Sequence, residues 1–318
     1  MKGVILDRDS FDRNDVDIST LENNGVEWTS YQSSRIEQVG ERIEGMDIVI
    51  TNKVKLTAET ISNTNSLKLV LIAATGTDNV DIAACLQQNI TVCNARGYTT
   101  PAVAQHVFAL ITALTTSLMK YDSMVKEGQW QKSHVFCLLD HPISELAGKN
   151  MGIIGLGTLG QKVADIAAAF DMNVLVSQRP GGELTAGRVP LDTLFKESDI
   201  ISIHCPLTSH TQNLVGQAEF QQMKSSALII NTARGAIIDS GALIDALNRG
   251  EIAGAGIDVL DAEPPSDKHP LIFNQHPNLI VTPHIAWASR ESRQRLINQL
   301  GDNLNAWKSG TPQNVVML

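Results

Sequence analysis

Short apolar runs recur along this chain, and between them apolar residues return every three or four positions. Runs of about four to eight residues bounded by polar or Gly positions read as buried strands, and the wider spacing reads as helices with one face inward. In the first hundred residues the strand candidates are 4–7, 26–28, 47–51, 67–74 and 90–93, with helical spacing over 35–43 and 80–88. From residue 151 the alternation resumes. Strands are predicted at 152–154, 173–176, 199–204, 227–231, 255–259 and 279–282, with helices over 161–170 and 239–248 and a last one over 289–307. Strand–helix alternation implies parallel sheets with right-handed crossovers. Residues 101–119 are apolar on nearly every face and predict one long helix, with Thr100 as N-cap and Pro101 in its first position. Gln105, His106 and several Thr make it a buried helix rather than a membrane span.

The 318 residues exceed one core, so two domains are expected. The pattern assigns 1–99 and 288–318 to one, and 100–287 to another inserted in it, with the tail from 311 returning to the first. A net charge of -9 argues against nucleic acid or an anionic membrane as partner, while a local cationic pocket suffices for a small anion. Cys85, Cys93, Cys137 and Cys205 stand apart, so neither a metal site nor a disulfide framework is indicated. The N-terminus lacks the shape of a signal peptide, and a reducing cytoplasm is expected.

Chemistry first enters at Gly155-Leu156-Gly157-Thr158-Leu159-Gly160, between an apolar run and a helical pattern. The first Gly allows a tight turn, the second lets the backbone approach a pyrophosphate, and the third lets helix and strand pack closely. The helix start at Thr158, Leu159 and Gly160 then offers N–H groups to phosphate. Three loops beyond later strands carry reactive side chains: Arg234 in Asn231-Thr232-Ala233-Arg234-Gly235, Glu263 in a Pro-stiffened loop after Asp258, and His284 in Thr282-Pro283-His284. Hydride transfer to a ketone needs a cation to polarise the carbonyl, an acid to deliver a proton and a group to keep that acid protonated. Each of the three could instead be structural, Arg234 as a surface ion pair and Glu263 as a plain loop carboxylate. His106 and His204 read as structural.

Taken together, these motifs resemble the D-isomer-specific 2-hydroxyacid dehydrogenase family over nearly the whole chain, most closely its glycerate dehydrogenase/hydroxypyruvate reductase branch, on Asn52-Lys53, Gly97-Tyr98 and 137–140. The resemblance implies an α/β protein of two open doubly wound parallel sheets, a Rossmann domain inserted in a flavodoxin-like substrate domain. It implies reduction of hydroxypyruvate or glyoxylate to D-glycerate or glycolate, with Arg234 binding the substrate carboxylate and carbonyl, His284 donating the proton and Glu263 bonded to His284. Asp258 matches a residue that holds the nicotinamide carboxamide, and Thr100, Cys205, Pro206, Thr232 and Ala233 complete the cofactor set. Thr75 and Gly76 match the substrate-carboxylate loop, with Ala74 where the family usually has Gly. Lys53 and Trp287 are further substrate candidates, the first otherwise a solvated lysine and the second otherwise core filler. No metal is implied, and the family dimerises through the region of 101–119.

NAD-binding units place a carboxylate about 20 residues beyond the Gly turn for the ribose 2′-OH. Here Gln178 stands there, followed by Arg179. With no carboxylate to repel a 2′-phosphate, and with Ser177, Gln178 and Arg179 able to donate, NADP(H) is expected to be preferred over NAD(H). Two other readings remain within reach of the pattern: formate or phosphite oxidation, and a dinucleotide-sensing binding protein. The Glu–His pairing argues against the former, and the lack of added tails against the latter.

Overall fold

Five parallel strands build the first sheet: β1 Lys2–Ile5, β2 Glu27–Ser30, β3 Ile48–Thr51, β4 Leu69–Ile72 and β5 Thr91–Cys93, in the order β2-β1-β3-β4-β5. In the computed structural model, which describes residues 1–317, this sheet belongs to a compact unit made of Met1–Thr99 and the segment from Trp287 onward. Every residue of β3 and β4 is buried, as expected for Ile/Val/Leu runs covered on both faces. On one face Ile50 and Leu71 meet Leu296, Ile297, Leu300 and Leu304 of the helix Arg290–Lys308. On the other, Val49 and Val70 meet Val39, Ile43, Ile61 and Cys85. The tail returns to this sheet, where the Val316 N–H donates to the Val92 carbonyl at 2.8 Å.

Strand β1 lies two residues earlier than the apolar run 4–7 suggests. Asp7 is the reason. Its buried carboxylate accepts N–H bonds from Asn52 at 2.9 Å, Lys53 at 2.7 Å and Val54 at 3.3 Å, fixing the turn after β3. Burial raises the Asp7 pKa even though these three bonds oppose it.

Thr100–Ala286 forms the second unit, with Trp287 grouped in the first. Its strands are β6 Asn150–Ile154, β7 Asn173–Val176, β8 Ile200–Ile203, β9 Leu228–Asn231, β10 Gly254–Ile257 and β11 Leu279–Val281, ordered β11-β10-β9-β8-β6-β7. Beyond β7 a single parallel bridge joins Ser177 to Val189. Counting Val189 as a third strand reduced to one residue gives the dinucleotide-binding order 3-2-1-4-5-6, with β11 added at the far edge. The topological switch lies between β6 and β8, and ligands bind at the carboxyl ends there.

The long apolar helix is broken. It runs Thr100–Thr115, and after a 60° bend a second helix runs Leu118–Lys126. Thr112, Thr115 and Thr116 return their hydroxyls to the carbonyls of Phe108, Ile111 and Thr112, a pattern that bends helices. Ser117 then takes a left-handed backbone, φ 51°, and its hydroxyl donates to the Pro142 carbonyl. The first helix is buried within its own unit through Val103, Ala104, Val107, Phe108, Leu110 and Ile111. The exposed apolar surface follows the break instead, with Met119 62%, Phe136 90% and Leu139 80% exposed. Among the described residues no single helix is long and apolar enough to cross a membrane.

Candidate active site

The glycine turn after β6 has the shape that its spacing requires. Gly155 has φ +99°, and a Cβ there would fall 2.6 Å from the Cys205 backbone nitrogen at the end of β8. A Cβ on Gly160 would fall 2.1 Å from the Gly155 carbonyl oxygen, so only glycine lets the helix Thr158–Ala169 start this close to its strand. Gly157 differs: its backbone is extended and nothing lies within 4 Å of the place its Cβ would take. The N–H groups of Thr158, Leu159 and Gly160 precede the first bond of the helix, from the Gln161 N–H to the Gly157 carbonyl. An open cradle beside unpaired helix donors fits a dinucleotide pyrophosphate. The buried Thr232 hydroxyl has no partner at the end of β9, which fits a further polar contact to such a group.

Around this turn the strand ends are close-set. Burial pushes the Cys205 thiol up to about 11, so it is a neutral wall residue, and Pro206 beside it is exposed. His204 bonds Ser202 Oγ through Nε2 at 2.9 Å, its Nδ1 is enclosed without a partner, and burial lowers its pKa to about 4. At the end of β7 one expectation needs correction. Ser177 is fully buried with its hydroxyl enclosed, so it presents no donor to a ligand. Gln178 is half-buried and Arg179 exposed. Arg188, which the strand-end pattern did not single out, reaches back and donates from Nη1 to the Ser177 carbonyl at 2.8 Å. The His210 ring lies against Gly181, where a Cβ would fall 2.5 Å from it.

Arg234, Glu263 and His284 follow β9, β10 and β11, at the carboxyl edge of the sheet. Asn231 shapes the first loop: its Oδ1 accepts the Ala233 N–H and its Nδ2 donates to the Arg234 carbonyl. Arg234 is extended and half-buried, with Nη1 donating to the Ala233 carbonyl. Gly235 then passes so close to the next loop that a Cβ would fall 1.9 Å from the Leu260 carbonyl carbon. Leu260 in turn donates its N–H to Glu263 Oε1 at 2.8 Å, and Glu263 Oε2 receives His284 Nδ1 at 2.6 Å. One run of contacts therefore links the three loops. His269, buried and bonded to Asp261 at 2.6 Å, braces the middle one.

His284 carries a positive φ of 54°, which is uncommon outside Gly and costs on the order of 1–2 kcal/mol. Asp258 holds that turn. Its carbonyl accepts the His284 N–H, its Oδ1 accepts the Ile285 N–H at 3.0 Å and its Oδ2 the Ala286 N–H at 2.9 Å. The sequence offers Asp258 two readings, a contact to the nicotinamide or the capping of a turn, and the structure shows it holding the turn that carries His284.

In the first unit Lys53 follows β3 and Thr75 and Gly76 lie beyond β4, at the carboxyl ends of neighbouring strands. Asn94 Nδ2 donates to the Thr75 carbonyl at 2.7 Å and fixes that loop. Ala74 is buried and is not among the residues with left-handed backbone, so its methyl is accommodated. Trp287 is partly buried against the core of this unit, so the core-filling role applies to at least one face of its indole.

Chemically, the second unit offers a guanidinium, and an imidazole whose Nδ1 is tied to a carboxylate, beside a cradle for a dinucleotide. Comparison with known proteins gives the family. Residues 108–286 match the family described as D-isomer specific 2-hydroxyacid dehydrogenase, NAD binding domain. The chain is 44% identical over 316 residues to a glycerate dehydrogenase of Methylorubrum extorquens, covering 99% of this chain and 98% of that one. It is 37% identical to a hydroxypyruvate reductase of Blautia hydrogenotrophica, covering 99% of both. Among solved structures, an acyclic imino acid reductase (Bsp5) in complex with NADPH and D-Arg matches with a TM-score of 0.86 at 29% identity, over 100% of each chain.

Proposed function

As a member of the D-isomer specific 2-hydroxyacid dehydrogenases, this chain is an NAD(P)-dependent enzyme reducing 2-keto acids to D-2-hydroxy acids, and we propose that its substrates are hydroxypyruvate and glyoxylate. The observation that carries the site reading is the 2.6 Å contact between His284 Nδ1 and Glu263 Oε2. A carboxylate accepts only, so Nδ1 carries a proton and Nε2 is the nitrogen left to exchange one. In this reading Arg234 grips the substrate carboxylate and polarises the keto oxygen. His284 delivers its Nε2 proton to the developing alkoxide, and Glu263 holds the ring in place through Nδ1. The nicotinamide, when bound, supplies the hydride. Arg234, Thr232, Ala233 and the 155–160 turn belong to the second unit, and Thr75, Gly76 and Lys53 to the first.

The closest-sized keto acids separate the alternatives. Loss of reduced-nicotinamide absorbance on adding hydroxypyruvate, glyoxylate or pyruvate ranks them directly. A hydroxypyruvate efficiency no better than that for pyruvate would overturn the substrate assignment, and no turnover with any of them would favour a dinucleotide-sensing role.

The same reading takes NADPH as the preferred cofactor. Gln178 supplies no carboxylate, while Arg179 is exposed and Arg188 is anchored at the same strand end. The structurally similar imino acid reductase was solved with NADPH. It also takes the protein as a cytoplasmic homodimer, formed through the exposed apolar residues after the helix break, Leu118, Met119, Trp130, Phe136 and Leu139. Sedimentation as a monomer at micromolar concentration would count against that assembly.

A further inference from the structure

Two glycines on β10 bring the helix Thr100–Thr115 down onto the sheet. A Cβ on Gly256 would fall 3.0 Å from Leu110 Cβ, and one on Gly254 would fall 3.4 Å from Leu114 Cδ2. Residues four apart share a helix face, so His106 lies one turn above Leu110 on that face. It reaches the carboxyl edge, where Asp258 follows β10 and Thr282 follows β11. His106 Nε2 stands 3.0 Å from Thr282 Oγ1 and 3.6 Å from Asp258 Oδ1. Thr282 Oγ1 donates to Asp258 Oδ1 at 2.5 Å.

The protons in this chain can be counted. The buried Asp258 carboxylate is an acceptor only. The Thr282 hydroxyl has one proton and directs it to Asp258. Its oxygen therefore accepts from His106, which must carry its proton on Nε2. Asp258 Oδ1 thus receives Thr282 and the Ile285 N–H, while Oδ2 receives the Ala286 N–H. The carboxylate is oriented from one side by the Thr282–His106 pair. From the other it holds the backbone that forces His284 into φ 54°.

We infer that His106 and Thr282 are positioning residues for the His284 turn, acting through Asp258. The inference rests on the reading of His284 as proton donor for its kinetic consequence, and on the hydrogen bonds alone for its structural one. Without the Thr282 hydroxyl the Asp258 carboxylate loses one of the three hydrogen bonds that fix its rotation, and the Ile285 and Ala286 amides face a less firmly placed acceptor.

Thr282→Val, Thr282→Ser, His106→Ala, His106→Gln and the double variant Thr282→Val/His106→Ala provide the test, each first checked for native melting and dichroism. Amide exchange over residues 283–287 is read by mass spectrometry, and kcat and KM with hydroxypyruvate. Thr282→Val is expected to speed exchange of the Ile285 and Ala286 amides about tenfold. It should lower kcat on the order of tenfold or more, with KM for the keto acid within about threefold. Ser restores the hydroxyl and is expected to return both readouts close to wild type. Gln at 106 offers an N–H near Nε2 and is expected to exceed Ala. The double variant is expected to be no worse than Thr282→Val alone, because both act through one contact. Unchanged exchange in Thr282→Val, an equal loss in Thr282→Ser, or additive losses in the double variant would each overturn the inference. His284→Ala separates the two readings: if it retains full activity the proton-donor assignment fails, while the exchange result still decides the positioning role.

Discussion

Glu263 divides its carboxylate between a backbone and a ring: Oε1 accepts the Leu260 N–H at 2.8 Å and Oε2 accepts from His284 Nδ1 at 2.6 Å. A Gln at this position has a single acceptor oxygen, so it either gives up one contact or donates to Nδ1 and forces His284 into the opposite tautomer, which leaves Nε2 without its proton. Glu263→Gln is therefore expected to lower kcat for keto-acid reduction about tenfold or more while leaving KM nearly unchanged. His284→Ala removes the proposed acid and should cost roughly 10²–10⁴ in rate. Steady-state kinetics on the two variants check this, and a Gln variant with wild-type kcat would remove Glu263 from the site.

Arg234 has a guanidinium whose planar fork can meet a carboxylate with two parallel bonds, which an ammonium cannot copy. With one nitrogen already fixed on the Ala233 carbonyl, its aim is set. Arg234→Lys is expected to reduce kcat/KM by about a hundredfold, as loss of roughly 3 kcal/mol of transition-state contact would give. Near-normal efficiency in the Lys variant would show that the carboxylate is held elsewhere.

Two glycine substitutions should fail in different ways. Ala at Gly157 meets open space, so Gly157→Ala should melt as wild type and yet bind the dinucleotide more weakly, its methyl standing in the cradle. Ala at Gly235 would collide with the Leu260 backbone and should lower the melting temperature and activity together. Calorimetry with a fluorescence titration of reduced cofactor separates the pair. Equal melting temperatures for both would contradict the close approach of the Arg234 and Glu263 loops.

Stability should depend on acid through His204. Its folded-state pKa of about 4 lies below the reference of about 6.5, so between these values the unfolded chain binds the extra proton. Its contribution is complete above about pH 6.5 and is lost as pH falls toward 4, by up to roughly 3 kcal/mol. His204→Gln, which keeps a polar partner for Ser202, should flatten that part of the stability curve. Parallel curves for variant and wild type over this window would exclude the effect.

Cofactor choice should follow the two arginines at the end of β7. Arg179→Ala and Arg188→Ala are each expected to lower the ratio of NADPH to NADH efficiency, mainly by raising KM for NADPH. A wild-type ratio favouring NADH tenfold would reverse the assignment.

Much of this architecture is legible in spacing. All eleven strands among the described residues lie at or within a few residues of an apolar run, and Gly155 and Gly160 each sit where a Cβ would collide with neighbouring backbone. These features are local, set by residues a few positions apart. What the sequence hides is long-range or shape-dependent. His106 and Thr282 are 176 positions apart, and no periodicity joins them. The break at Ser117 coincides with Thr hydroxyls that turn back on their own helix, and apolar residues resume directly beyond it at Leu118 and Met119. Arg188 lies in a polar loop where only the fold reveals that it turns toward Ser177.

That loop hangs from the sheet by the single bridge between Ser177 and Val189. Residues 179–187 have no ladder to keep in register, so their length and sequence can change without shifting any strand. On the proposed cofactor reading, adenosine-side selectivity is thereby a replaceable cassette: grafting this one surface segment is expected to change it, while Arg234, Glu263 and His284, on the opposite half of the sheet, are left in place.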